Sequence, residues 1–285
     1  MNQYFVNAGN ISVHITEWGK SSNPVIFCLH GLGSTSLSFI EVAEQLKDEF
    51  RIISIDAPGH GKTMPFKSAE EYELPFLASW LNTVLACLDI EKFYFLSHSW
   101  GSFVSLFYQL KYPEKVLGAI LVDGGYQSKR LQKQSMEEEI AYYQKDFEEY
   151  VFNDWEDFLK TEKNAYTRWS PLIETAVKDL GLEKNSKIYW HVRGVTAGNI
   201  IRAMHINEIE DIYKNLSTNI LLLRATLPVE LNDYRNMTSK IFKQRTGGVV
   251  KLIPDTTHML HWDHPDLVVE VIRENWSPSY YFSWW

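Results

Sequence analysis

The sequence predicts an α/β fold: a mostly parallel central sheet flanked by helices, interrupted by an inserted helical cap. Three observations carry that prediction. Short apolar runs at Val25 to Leu29, Arg51 to Ile55 and Phe93 to Leu96 each end in a loop rich in Gly, Pro, Ser or His. Helix-like stretches such as Ser38 to Lys47 and Leu74 to Leu88 separate them, which is the alternation of βαβ units. From about Ser128 the alternation stops, and acidic and aromatic residues interleave at helical spacing instead.

In chain order, Met1 to Lys20 alternates as two short strands around Ala8-Gly9-Asn10. After Phe93 to Leu96, residues Phe103 to Leu110 have the periodicity of a helix, and Val116 to Val122 is a further strand ending at Asp123-Gly124-Gly125. Between Ser128 and Asn215 no clear buried strand is visible. Glu139, Tyr142, Tyr143, Phe147, Tyr150, Phe152, Trp155 and Phe158 follow helical spacing. Each of these aromatics alone is explained by simple helix packing; as a set they predict a cap with an apolar face. The sheet resumes at Asn219 to Leu223 and Val249 to Ile253, followed by a helix-like Pro265 to Asn275. The expected division is therefore a core of 1–127 and 216–285 with a cap of 128–215. The aromatic tail, Tyr280 to Trp285, is expected to pack on the core or on a neighbouring subunit, the latter making a homodimer.

Bulk properties exclude several functions. With 285 residues, 45% apolar and 22% charged, the chain is long enough to fold around a full core and is not of disordered composition. Twenty-eight basic against 36 acidic residues give a net charge of -8, with no long basic cluster to attract nucleic acid. Two cysteines, Cys28 and Cys87, do not make a disulfide framework. Neither a leader nor a run approaching 18 apolar residues is seen, so a soluble, cytoplasmic protein with no membrane partner is expected.

The chemistry is concentrated in Ser97-His98-Ser99-Trp100-Gly101. A hydroxyl is a poor nucleophile unless a base takes its proton and the backbone projects it into an open pocket. A sharp strand-to-helix turn does the projecting, provided the residues two before and two after are small. Ser97 and Gly101 meet that need, although Ser97 stands where a glycine is more usual. The bland reading of Ser99 is a cap for the following helix.

With His30-Gly31-Leu32-Gly33 after Val25 to Leu29, Asp56-Ala57-Pro58-Gly59-His60-Gly61 after the next strand, and a late histidine, the chain resembles the α/β-hydrolase fold superfamily. The likeness spans almost everything except the cap. It implies an oxyanion hole from the backbone N–H groups of Leu32 and Trp100, with Ser99 as nucleophile. The base is expected on the loop after the last strand, where Thr256-Thr257-His258-Met259-Leu260 offers His258, with His261 and His264 as competitors. His258-Met259-Leu260-His261-Trp262-Asp263-His264 also resembles the zinc cluster of metallo-β-lactamase-like hydrolases. Its spacing and its place in the chain are wrong for that site, so no metal and no cofactor are expected.

The acid that orients the imidazole has three candidates. In most of the superfamily it follows the strand that here is Asn219 to Leu223, but Arg224-Ala225-Thr226-Leu227-Pro228-Val229-Glu230 holds no carboxylate at the expected place. Asp123, at the end of the preceding sheet strand, is the alternative site; Glu230 and Asp233 come late in the loop and stay as rivals.

The resulting expectation is a serine hydrolase that cleaves a small, partly apolar carboxylic ester or lactone through an acyl-enzyme on Ser99. Trp100 beside the nucleophile is shared with haloalkane dehalogenases and epoxide hydrolases, which use an Asp nucleophile, and prolyl aminopeptidases share Ser-Trp-Gly but with a different oxyanion loop. Carbon–carbon bond hydrolysis and peptidase activity remain alternatives within the fold. Outside enzymes, the alternative is a small-molecule-binding or signalling protein on a retained hydrolase scaffold.

Overall fold

The computed structural model describes residues 1–216 and 219–277, so the aromatic tail from Tyr280 lies outside the described residues. Strands β1 (Asn2–Ala8) and β2 (Ile11–Trp18) form the expected antiparallel pair. Gly9 closes their turn at a φ of 67°, a conformation open to glycine. Strands β3 (Val25–Leu29), β4 (Arg51–Ile55), β5 (Phe93–His98) and β6 (Val116–Val122) follow. Ile26, Phe27, Cys28 and Leu29 are at most 1% exposed. Both faces of such a strand are covered, which is why it reads as an unbroken apolar run rather than an alternation.

Helices α1 (Ile40–Leu46), α2 (Leu74–Cys87) and α3 (Trp100–Lys111) link these strands. Leu77, Leu81, Val84 and Leu85 of α2 are buried against the sheet. At about 1.5–3 kcal/mol for each fully buried large aliphatic side chain, that one face outweighs any helix-propensity term.

The insert is not wholly helical. It holds α4 (Met136–Glu149), β7 (Val151–Phe152), α5 (Trp155–Ala165), α6 (Pro171–Lys178), β8 (Gly181–Lys184), β9 (Lys187–Trp190) and α7 (Gly194–Ile206). Its three strands make a separate small sheet in the order β7-β9-β8. Asn185 and Ser186, both at positive φ, turn the β8–β9 hairpin, and β8 is largely exposed, so it lacks the apolar run that betrays a core strand. The aromatics pack as local groups: Tyr150 stacks on Trp190 at 4.2 Å, and Phe152 meets Phe158 edge-on at 5.2 Å.

The chain then returns to the main sheet with β10 (Ile220–Ala225), α8 (Asn232–Thr246), β11 (Val249–Ile253), α9 (Leu260–Asp263) and α10 (Pro265–Trp276). The sheet has eight strands in the order β1-β2-β4-β3-β5-β6-β10-β11, with only β1 and β2 running antiparallel to their neighbours. Strand β10 runs two residues past the expected Leu223, and the Nη1 of the buried Arg224 donates to Asn236 Oδ1 at 2.6 Å and Ser239 Oγ at 3.2 Å. No helix among the described residues is long and apolar enough to cross a membrane.

Candidate active site

Strand β5 ends at His98, and Ser99 then takes φ 50°, ψ -123° before α3 begins. Such a conformation is costly for a non-glycine residue and persists only where the surroundings enforce it. Two glycines do so. A Cβ on Gly101 would sit 2.5 Å from the carbonyl oxygens of Leu29 and His30, and one on Gly124 would sit 2.2 Å from the Ser99 carbonyl oxygen. Ser97 is accommodated in place of the usual glycine: its hydroxyl bonds Ser102 Oγ at 3.1 Å in the buried interior. Ser99 stands at the helix N-cap position yet makes no capping bond.

Its hydroxyl lies instead 2.8 Å from His258 Nε2, and His258 Nδ1 lies 2.7 Å from Asp123 Oδ2. Asp123 is 1% exposed, whereas the His258 side chain keeps 46% of its surface open. The second Asp123 oxygen accepts the Ala225 N–H at 3.1 Å and the Tyr126 hydroxyl at 3.0 Å, and Arg235 lies 3.8 Å from the first. Burial acts to raise the Asp123 pKa, but the His258 bond and charge, then Arg235 and the Ala225 N–H, outweigh it and hold the carboxyl below its ordinary value. Asp123 therefore faces His258 as a carboxylate at neutral pH.

Glu230 and Asp233 are elsewhere. Both are exposed, and with Tyr142, Tyr143, Tyr234 and Met237 they line a cavity of about 770 Å³ between α4 and the start of α8. Neither bonds His258. His261 is buried with Nε2 3.0 Å from Ser38 Oγ, and His264 is exposed, so the three late histidines occupy three different surroundings.

The loop His30-Gly31-Leu32-Gly33 is held from below. His30 Nδ1 donates to the Gly31 carbonyl at 2.7 Å, while His30 Nε2 accepts the Ala57 N–H at 3.0 Å. Two lines of bonding thus fix one tautomer, and burial holds the ring pKa below the usual histidine value, keeping it neutral. Asp56 completes the brace by accepting the N–H groups of Ser36 at 2.7 Å and Lys62 at 2.9 Å, with His14 Nδ1 at 2.8 Å. A Cβ on Gly31 would fall 2.9 Å from Ser99 Cβ, so the loop passes directly beside Ser99. Among the described residues no backbone bond outside helices and strands uses the N–H of Leu32 or Trp100. Trp100 N–H, in the first turn of α3, has no helical acceptor either.

Sequence reasoning missed several groups that shape this site. Asp263 Oδ2 accepts the Thr257 N–H at 2.6 Å and the Thr257 hydroxyl at 2.8 Å, pinning the loop that carries His258. Its other oxygen accepts the hydroxyl of Thr167 from the insert. Thr167, Tyr126 and Arg235 had no sequence signal, since each acts through a long-range contact. Asp263 and Gly124 lay inside quoted motifs but under other readings. The cavity near Glu230 does not touch Ser99; Tyr143, which lines it, packs with Phe147, whose buried cluster also takes Leu32 and whose ring lies against Gly33.

Known proteins share this plan. The family described as alpha/beta hydrolase fold matches residues 24–265. A serine hydrolase-like protein of Danio rerio is 24% identical, over 92% of this chain and 84% of its own. Epoxide hydrolase 4 of Mus musculus is 23% identical, over 92% of this chain and 76% of its own. Among solved structures, the thioesterase domain from the curacin biosynthetic pathway superposes with a TM-score of 0.79 at 16% identity, over 96% of this chain and 99% of that one, a likeness of fold. The chain belongs to the α/β hydrolase fold family.

Proposed function

We propose that the protein is a serine hydrolase cleaving small, partly apolar carboxylic esters or lactones. The observation that carries this reading is the continuous chain Ser99 Oγ, His258, Asp123, with contacts of 2.8 and 2.7 Å. In this reading His258 Nε2 takes the Ser99 proton as Oγ attacks the carbonyl carbon, while Asp123 stabilises the imidazolium. The carbonyl oxygen becomes an oxyanion that accepts the N–H groups of Leu32 and Trp100; a donor of this kind is worth about 2.7–4 kcal/mol in the transition state. Collapse expels the alcohol, which receives the proton from His258. Water, deprotonated by the same imidazole, then releases the acid and restores Ser99.

The name of the zebrafish relative agrees with this assignment. Epoxide opening of the kind expected from the mouse relative's name would take a carboxylate where this chain has Ser99. Residues 128–215 serve in this reading as the lid. The cavity of about 770 Å³, lined by Tyr142, Tyr143, Tyr234 and Met237 among others, is of the size and character that receives the apolar part of a small substrate. Purified protein offered p-nitrophenyl acetate to octanoate and simple lactones, with Ser99→Ala as control, tests the proposal. Turnover lost in Ser99→Ala, with Ser99 labelled by a fluorophosphonate, is expected; no turnover and no labelling overturns it.

A further inference from the structure

His98, the residue between Ser97 and the nucleophile, is only 3% exposed, yet it is a histidine rather than an aliphatic residue. Its ring lies between two others, 4.7 Å from His258 and 4.5 Å from His261 by centroid. Its Nε2 lies 2.9 Å from the backbone carbonyl oxygen of His258. A carbonyl can only accept, so Nε2 carries the proton. Nδ1 is then the bare nitrogen, without a partner among the described residues, and the backbone of Gly31 closes over it: a Cβ there would fall 2.8 Å away. Burial holds the His98 pKa well below the ordinary value, with His261 and His258 lowering it further, so the ring stays neutral beside the base.

We propose that His98 is a positioning residue: its Nε2–H bond to the His258 carbonyl holds the base loop at the distance from which His258 reaches Ser99. The inference rests on the serine hydrolase reading. His98 is joined to Ser99 by one peptide bond and to His258 by one hydrogen bond, so the nucleophile and the base are gauged against the same imidazole. Asp123 sets the rotation of the His258 ring; His98 sets the height of the backbone that bears it. Asp263 restrains the same loop from its other side through Thr257. A neutral donor suits the task, because a second imidazolium at this separation would oppose protonation of His258.

Three measurements test the assignment. In His98→Phe the ring packing is kept and the donor is lost; kcat per fluorophosphonate-titrated site is expected to fall about 10- to 100-fold with KM within about twofold, the scale for a displaced catalytic group. His98→Gln returns an N–H near the Nε2 position and is expected to recover most of that loss. A kcat per titrated site in His98→Phe within twofold of the parent, or a folded His98→Gln no better than His98→Phe, overturns the proposal. Should His98→Phe not fold, ¹⁵N-histidine spectra of the unaltered protein decide the point at neutral pH: the Nε2–H tautomer at His98 is required, and an Nδ1–H tautomer overturns it. Absence of both turnover and labelling in the unaltered protein would sink the hydrolase reading instead, and the tautomer still decides whether the clamp exists.

Discussion

Asp123 Oδ2 lies 2.7 Å from His258 Nδ1, although 135 positions separate the two residues in the chain. The carboxylate reaches the ring from the end of β6, while Ala225 at the end of β10, the strand after which this acid more often follows, contributes an N–H to it. Asp123→Asn is expected to lower kcat by up to about 10⁴, as neutralising a triad carboxylate does. Glu230→Gln and Asp233→Asn, both exposed and without a bond to His258, are expected to stay within about twofold. Ester turnover of the three purified variants checks this. Near-parental activity in Asp123→Asn would remove Asp123 from its proposed role.

Gly124 has no chemistry of its own, but its Cα faces the turn at Ser99. A methyl group there meets the Ser99 carbonyl oxygen at 2.2 Å and Ser99 Cα at 2.6 Å, both backbone atoms that cannot step aside. Gly124→Ala is therefore expected to displace Ser99, lowering the rate of fluorophosphonate labelling about 10²-fold and stability by about 1–3 kcal/mol. Labelling rates and thermal unfolding measure the two effects. An unchanged labelling rate would show that the turn tolerates the methyl.

Acid sensitivity is expected from the Asp56 brace below the loop His30 to Gly33. Burial acts to raise the Asp56 pKa, but bonds from His14 and from the N–H groups of Lys62 and Ser36 outweigh it, lowering the pKa from 3.8 to about 2. A depressed carboxylate pKa contributes stability that is complete above the unfolded value and disappears as pH falls through the folded one. The shift corresponds to about 2 kcal/mol, lost between about pH 5 and pH 1. Urea unfolding across that range should show this loss in the parent and a shallower one in Asp56→Asn. Equal slopes would place the acid sensitivity elsewhere.

If the cavity beside α4 receives the apolar part of the substrate, filling it should shorten the preferred acyl chain. Met237 lines it and is 43% exposed, so a larger side chain can be placed there without breaking a packed core. Met237→Trp is expected to reduce the octanoate-to-acetate ratio of kcat/KM by about tenfold, the worth of one or two lost apolar contacts. An unaltered ratio would separate the cavity from the reaction.

Much of this architecture was legible because its signals are local. Val25–Leu29 is buried on both faces and so appears as an unbroken apolar run; Arg51–Ile55, Val116–Val122 and the largely exposed edge strand Val249–Ile253 also have the expected bounds. The turn at Ser99 was legible for the same reason, since its small neighbours are adjacent in sequence. The end of β10 was not, because Arg224 looks like a surface residue until Asn236 and Ser239 are folded against it. Nor was the β8–β9 hairpin, because β8 is largely exposed and β9 buries only Ile188. His98 stood within the quoted motif, but its bond to His258 depends on a loop 160 residues away.

Thr167 adds a constraint on redesign. Its hydroxyl reaches Asp263, the same carboxylate that fastens the loop bearing His258. Residues 128–215 are consequently not a free module. A graft that replaced them with a foreign segment would keep the sheet, Ser99, Asp123 and His258, yet leave one oxygen of Asp263 without its donor and the alignment of the imidazole dependent on whatever the new segment offered in that place.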